Sequence, residues 1–364
     1  MAWWVILNHL SFLTDFETFS PTGWMRFPVK VLHVVGDHAH CAVDIFMIIS
    51  GFVIFYLMDH QKASYSRFIA GRFFRLFPLY LACVLGAILV SPLEVSNLTH
   101  LVSPVNDFAS RLTRIETWHV HFAAYFIPTA LMLQGLIPER LMHSVYNIFL
   151  PPTWSLTLEW QFYLVAPLLY AVFRKQNRTT IIVLAIILAC VVLGPRISWN
   201  RSLLLAHAPW FFVGFGSFYL FRHLEHRHRP LITSHEETIG CSLFVLLIVL
   251  HNLAFAVWAT VFMAAFSPLI FGRKPWYLAR MSEILNHRVP QFLGKVSYST
   301  YLVHWLVIDG VIWVLLRAYP QVDSVHLFIY TSFLTVPLVI LASFLAFMFI
   351  EKRGMELGKR WLGR

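Results

Sequence analysis

The sequence predicts an all-α, polytopic integral membrane protein of about ten transmembrane helices plus one broken or re-entrant segment. Three observations lead there. Of its 364 residues 58% are hydrophobic and only 13% are charged, with a mean hydropathy of +0.67; a soluble domain carries about 25% charged residues. Apolar runs approaching the ~20 helical residues that cross a bilayer core recur along the whole chain. Lys and Arg gather in the short segments between alternate pairs of runs, as they do on the cytoplasmic side of membranes. Lipid offers the backbone no hydrogen-bond partners, so such runs are read as helices.

In chain order, spans are expected near 1–13, 42–58, 76–93, 155–173, 179–194, 203–221, 238–252, 254–271, 296–316 and 325–350. The first rises only ~20 Å as a helix, so either it begins at the membrane surface or the natural chain begins upstream of Met1. It has no leading basic region and no small-residue cleavage site, so it reads as a retained helix. The run 120–137 is apolar but holds Pro128, Gln134 and Gly135, and Pro138 and Pro151-Pro152 fence it. If it does not fully cross, most of the 28 Lys and Arg fall on inner segments and both termini are cytoplasmic. The net charge of +10 is scattered over many loops, which fits topology and argues against a nucleic-acid partner. The partners expected from composition are membrane lipids; the oligomeric state is not readable. Four cysteines show no CxxC or ladder spacing, so neither a disulfide framework nor a zinc site is indicated. No repeat or long linker appears, and 1–364 reads as a single domain.

The stretch Ala42–Tyr80 organises the chain. It opens with Asp44 at the leading edge of an apolar run, and then Lys62, Arg67, Arg72 and Arg75 follow within a short loop, 59–75, before the next run. That basic cluster either docks an anionic cytosolic ligand or only anchors topology. Ser50-Gly51 is a small pair suited to close helix approach.

Three further places carry polar chemistry. His9 lies in the first span, and an ionisable group there is a functional-site hypothesis; neutral imidazole can accept a hydroxyl proton near pH 7. Asp44 either pairs with His9 or is an interfacial acid at a helix N-terminus. In 151–163, PPTWSLTLEWQFY, two prolines end what precedes and Ser155 can cap a new helix. Trp154, Glu159, Trp160, Gln161 and Tyr163 then gather stacking and hydrogen-bonding groups at one outer surface, a combination suited to sugars. In 293–305, LGKVSYSTYLVHW, helical spacing puts Tyr298, Tyr301 and His304 on one face; an interfacial aromatic belt explains the tyrosines but not the deeper histidine. His33, His38, His40 and Cys41 fit no strong metal template, and no metal is expected.

Together, VDIFMIISGF, RFIAGRFFRLFPLY, PPTWSLTLEWQFYLVAPLL and LGKVSYSTYLVHW resemble, in order, the signature blocks of the acyltransferase-3 family of membrane O-acyltransferases. FIEKR at 349–353 resembles its closing block. The resemblance covers essentially the whole chain. It implies transfer of an acyl group, usually acetyl from cytosolic acetyl-CoA, to extracytoplasmic glycans, in a bacterial inner (cytoplasmic) membrane. His9 matches the family's catalytic histidine and Asp44 its following acid. Arg72 and Arg75 match its inner arginines, and Trp154, Ser155, Leu156 and Glu159 its Trp-Ser-Leu block. Ser297, Tyr298, Tyr301, Leu302 and His304 match its Ser-Tyr block. The family usually has an arginine eleven residues before the histidine, a position that here precedes Met1; Ala42 and Arg353 replace its usual glycine and proline. With no hydrolase-like domain after the last span, the chain resembles the stand-alone members.

The expected assignment therefore has His9 and Asp44 as catalytic residues. Arg67, Arg72, Arg75, Tyr298 and His304 hold acetyl-CoA, and Trp154, Ser155, Glu159 and Gln161 hold a glycan or lipid-linked glycan acceptor. Direct transfer and an acyl-enzyme both stay open. The rival readings are a transporter or flippase of a lipid-linked sugar, weakened by the lack of an internal half-repeat, and a non-enzymatic envelope assembly protein.

Overall fold

A computed structural model describes residues 1–11, 35–36, 38–61, 64–101, 108–175, 182, 199–227, 252–272 and 275–363. Every regular element among them is helical: α1 (Ala2–Ser11), α2 (His40–Gln61), α3 (Tyr65–His100), α4 (Phe108–Val120), α5 (Phe122–Ala130), α6 (Thr153–Lys175), α7 (Leu204–His226), α8 (Leu253–Phe271), α9 (Trp276–Asn286), α10 (Arg288–Lys295), α11 (Ser297–Ala318), α12 (Ser324–Ala346) and α13 (Lys352–Trp361). Among the described residues seven helical runs are long and apolar enough to cross a membrane: α2, α3, α6, α7, α8, α11 and the run Val325–Trp361. They coincide with seven expected spans. The expected first span is the ten-residue α1, and the spans expected at 179–194 and 238–252 lie almost wholly outside the described residues.

Two sequence expectations change here. The arginines Arg67, Arg72 and Arg75 are not in a loop. They ride the first three turns of α3, which runs for 36 residues through Pro78 and Pro92. Proline is tolerated in such a helix because packed neighbours absorb the lost backbone bond. And Ser155 is not the cap of α6. The helix has already begun at Thr153, whose hydroxyl donates to Leu150 O at 2.7 Å. The run 120–137 is broken, as its composition suggests. α5 ends at Ala130, Met132 takes φ +54°, and a 3-10 turn follows at Gln134–Leu136.

The described chain forms two compact units. The first comprises Met1, residues 40–62 and 207–295. In it α2 crosses α7 at backbone contact: a Cβ on Gly51 would meet Phe211 O at 2.3 Å, and one on Gly214 would meet Ile48 O at 1.9 Å. The small residue Gly51 thus serves the close approach its sequence suggests. Around it Phe52 lies among Phe221, Trp258, Phe262 and Phe266, and the Trp258 indole donates to Ser217 Oγ at 2.9 Å.

The second unit comprises residues 2–39, 63–206 and 296–364. α3 and α11 run parallel, because Tyr298 meets Leu76 and Asn97 meets Asp309. α6 runs antiparallel to the start of α3, pairing Tyr65 with Leu164, Phe68 with Tyr163 and Phe77 with Trp160. α1 packs Ile6 and Leu10 on Ile308, Ile312 and Val339. α13 lays Gly354 and Gly358 against Phe74 and Pro78. Between α12 and α13 a π-helical turn, Phe347–Glu351, rotates Glu351 into the interior; such turns recur at functional sites.

Candidate active site in the second unit

One face of α11 carries the site. Tyr298, Tyr301, His304 or Trp305, and Asp309 follow at helical intervals, over about 16 Å of helix rise. Each meets a group from another helix, so the polar line is a product of packing.

At the first end, the Tyr298 hydroxyl donates to Leu76 O at 2.6 Å and Ser299 Oγ donates to the buried Glu351 at 2.7 Å. Arg75 is accessible, yet Glu159, Glu351, Tyr163 and Tyr298 are its ionisable neighbours. Arg72 rests on the ring faces of Phe68 and Tyr163, 5.3 and 5.4 Å from their centres, a cation–π arrangement. The Tyr163 hydroxyl donates to Glu159. Neither arginine forms an ion pair within 4 Å among the described residues. Arg67 is exposed.

This corrects the expected place of Glu159. It does not stand at an outer surface remote from the inner arginines. It is buried, 6% exposed, and lies within electrostatic reach of Arg75 and Arg72. The cause is the long helical start of α3, which carries both arginines alongside α6. Gln161 is also buried, and its amide is committed to backbone: Nε2 donates to Ser202 O at 2.8 Å and Oε1 accepts from Leu204 N at 3.0 Å. It thus holds the start of α7. Trp154 is half-buried in the first turn of α6.

In the middle, Ser155 Oγ and the Tyr301 hydroxyl are 2.7 Å apart. Tyr301 leads to His304, 6.0 Å between ring centres. His304 is wholly buried. Its Nδ1 lies 3.3 Å from Thr300 O, so geometry assigns the proton to Nδ1 and leaves Nε2 an acceptor; Nε2 has no partner among the described residues. His9 stacks on His304, centroids 5.3 Å apart and planes at 25°, and meets Trp305 edge-on at 4.9 Å. The neighbouring Asn8 anchors α1 by donating to Gly36 O at 2.8 Å.

Beyond the histidines stands a cluster that the sequence reading missed. Arg111 and Glu94 are both buried and form an ion pair, Nε to Oε1 at 2.5 Å. The Arg111 guanidinium lies 5.4 Å from the Trp305 ring centre and also donates to Asn147 O and Phe149 O. Asp309, 6% exposed, lies within electrostatic reach of both. An acid inside the apolar run 296–316 was the available signal. Asp44 belongs to the first unit, where it is half-buried near the start of α2. Its expected partnership with His9 joins the two units and stays a proposal. Among the described residues no group of three His, Cys, Asp or Glu is arranged to hold a metal, and His33 lies outside them.

A paired histidine in an apolar interior, with Arg72 and Arg75 near buried Glu159 and Glu351 at one end and the buried Arg111, Glu94 and Asp309 at the other, suits transfer of a group from an anionic carrier to a nucleophile. Comparison with known proteins fixes the class. Residues 1–351 match the sequence profile described as an acyltransferase domain. The chain belongs to the acyltransferase-3 family. This acyltransferase is similar to acyltransferase MdmB of Streptomyces mycarofaciens, 28% identical over 134 residues, which cover 37% of the chain and 29% of MdmB. It is also similar to the exopolysaccharide production protein ExoZ of Rhizobium meliloti (strain 1021), 26% identical over 277 residues, 74% of the chain and 76% of ExoZ. The chain thus spans under a third of MdmB and about three quarters of ExoZ. No solved structure matches it significantly. The apolar helices and the family together make it a membrane O-acyltransferase.

Proposed function

We propose that this acyltransferase moves an acetyl group from cytosolic acetyl-CoA to a hydroxyl of an extracytoplasmic glycan: an exopolysaccharide, a lipopolysaccharide O-antigen or a lipid-linked repeat. The observation that carries the reading is the stacked His9–His304 pair, set midway along the polar face of α11. Similarity to ExoZ, an exopolysaccharide production protein, favours a glycan acceptor.

In this reading Arg72, with Arg67 and Arg75, binds the phosphates of acetyl-CoA from the cytosolic side of a bacterial inner membrane. Guanidinium forks suit phosphate oxygens, and Arg72, held by ring faces and not by a carboxylate pair, keeps its N–H edge for a ligand. Glu159 belongs with the arginines and tunes their charge, leaving Trp154 and Ser155 as the acceptor-side groups of α6. The acceptor hydroxyl attacks the thioester carbonyl while His9 takes its proton. Asp44 orients His9 in this proposal.

The test is transfer of labelled acetyl from acetyl-CoA to surface glycan by purified protein, alongside the O-acetyl content of glycans from cells with and without the gene. Acetylation that requires the protein supports the reading. Equal O-acetyl content in both strains, with no transfer in vitro, overturns it.

A further inference from the structure

The roles assigned so far leave one cluster of three buried ionisable groups unused: Glu94, Arg111 and Asp309. Burying charge inside a helical membrane domain is expensive and is kept where it serves a function. Arg111 and Asp309 flank the residue that touches His9, and Glu94 pairs with Arg111. Trp305 meets His9 edge-on at 4.9 Å, the Arg111 guanidinium lies 5.4 Å from the same ring, and Asp309 follows one turn later on the same helix.

Their charges do not cancel. Arg111 is already matched by Glu94 at 2.5 Å, and its other named donors go to Asn147 O and Phe149 O. Asp309 is the carboxyl outside that ion pair. The Asp309 backbone oxygen accepts from Asn97 Nδ2 at 2.9 Å, which fixes α11 to α3 at this level without using the carboxyl. Fully ionised, the cluster carries one surplus negative charge, and one added proton makes it neutral.

Resting on the acyl-transfer reading above, we infer that Asp309 is a positioning residue that balances the positive charge taken on by the His9–His304 pair during transfer. The acceptor oxygen bonds to the acyl carbon as its proton passes to His9. The carbon–sulfur bond then breaks, and the thiolate leaves with that proton as free thiol. Between these events the histidine pair is cationic, and an ionised Asp309 on the same stretch of α11 offsets that charge. Glu94 serves this arrangement by keeping Arg111 from neutralising Asp309. The plainer alternative is that Arg111 only clamps α3, α4 and the segment before α6, with Asp309 an uncharged filler.

The two readings separate by kinetics with acetyl-CoA. Asp309→Asn preserves shape and removes the charge. The inference expects kcat to fall at least tenfold, toward the ~10⁴ lost when the carboxylate behind a catalytic histidine is neutralised, with the dissociation constant for acetyl-CoA unchanged. Glu94→Gln, which frees Arg111 to neutralise Asp309, is expected to lower kcat in the same sense, and it carries the test should Asp309→Asn fail to fold. Folded variants with wild-type kcat, or a loss shared equally between kcat and acetyl-CoA binding, overturn the inference. A wild-type protein that transfers no acetyl group overturns the acyl-transfer reading instead, so the two failures are distinguishable.

Discussion

The hydroxyl of Ser155, in the first turn of α6, lies 2.7 Å from the hydroxyl of Tyr301, one turn before His304 on α11. It joins two sequence blocks 146 residues apart. Ser155 is buried and also donates to Pro152 O at 3.3 Å, whereas the half-buried Tyr301 hydroxyl loses this hydrogen bond when Ser155 is removed, at about 0.5–1.5 kcal/mol. Ser155→Ala and Tyr301→Phe should therefore be non-additive in kcat/KM, with a coupling of roughly 0.5–3 kcal/mol in a double-mutant cycle. Additive losses would make the contact incidental to the site.

Arg72 and Arg75 are expected to bind the phosphates of acetyl-CoA. Replacing both with Gln should weaken binding, since a hydrogen bond to a charged group contributes about 1.5–3 kcal/mol. Because Glu159 lies within electrostatic reach of them, Glu159→Gln should alter acetyl-CoA affinity as well as transfer. Isothermal titration of the purified variants reads both effects. Unchanged affinity in the double variant reassigns the arginines to topology.

The crossing of α2 and α7 leaves no room for a side chain. A Cβ on Gly214 would sit 1.9 Å from Ile48 O, which is backbone and cannot swing aside. Gly214→Ala should destabilise the first unit by more than the ~1–3 kcal/mol of ordinary overpacking, read as a lower melting temperature in detergent. By contrast Gly71, with open space around its Cβ position, should accept Ala with no loss.

Ser64 is exposed just before α3, in the basic stretch expected to face the cytosol. Ser64→Cys should resist an impermeant thiol reagent added outside intact cells and react once membranes are opened. Ready labelling from outside inverts the topology.

How much of this was legible in the sequence varies by element. The seven long helices were, because a continuous apolar run of about 20 residues satisfies its own backbone in lipid as a helix. His9, Ser155, Tyr301 and His304 were singled out, since polar groups in apolar runs stand out along one dimension. What brings them together is packing, which spacing does not encode. Arg72 and Arg75 read as loop residues because the apolar run opens only at Leu76, whereas the helix begins at Tyr65. The same continuous helix brings Arg72 and Arg75 within electrostatic reach of Glu159. Glu94 and Arg111 are each unremarkable locally, and only the fold brings them to 2.5 Å. Asp309 alone had a readable signal, as an acid deep in an apolar run.

The central claim is that His9 accepts the proton of the acceptor hydroxyl. Its most direct test is the rate of labelled acetyl transfer from acetyl-CoA to glycan by purified His9→Ala, with acetyl-CoA binding measured on the same sample. Loss of a general base lowers a rate by ~10²–10⁴, so transfer should nearly vanish while binding and folding persist. Near-wild-type transfer by His9→Ala, with transfer abolished instead by His304→Ala, would contradict the account and move the base to α11.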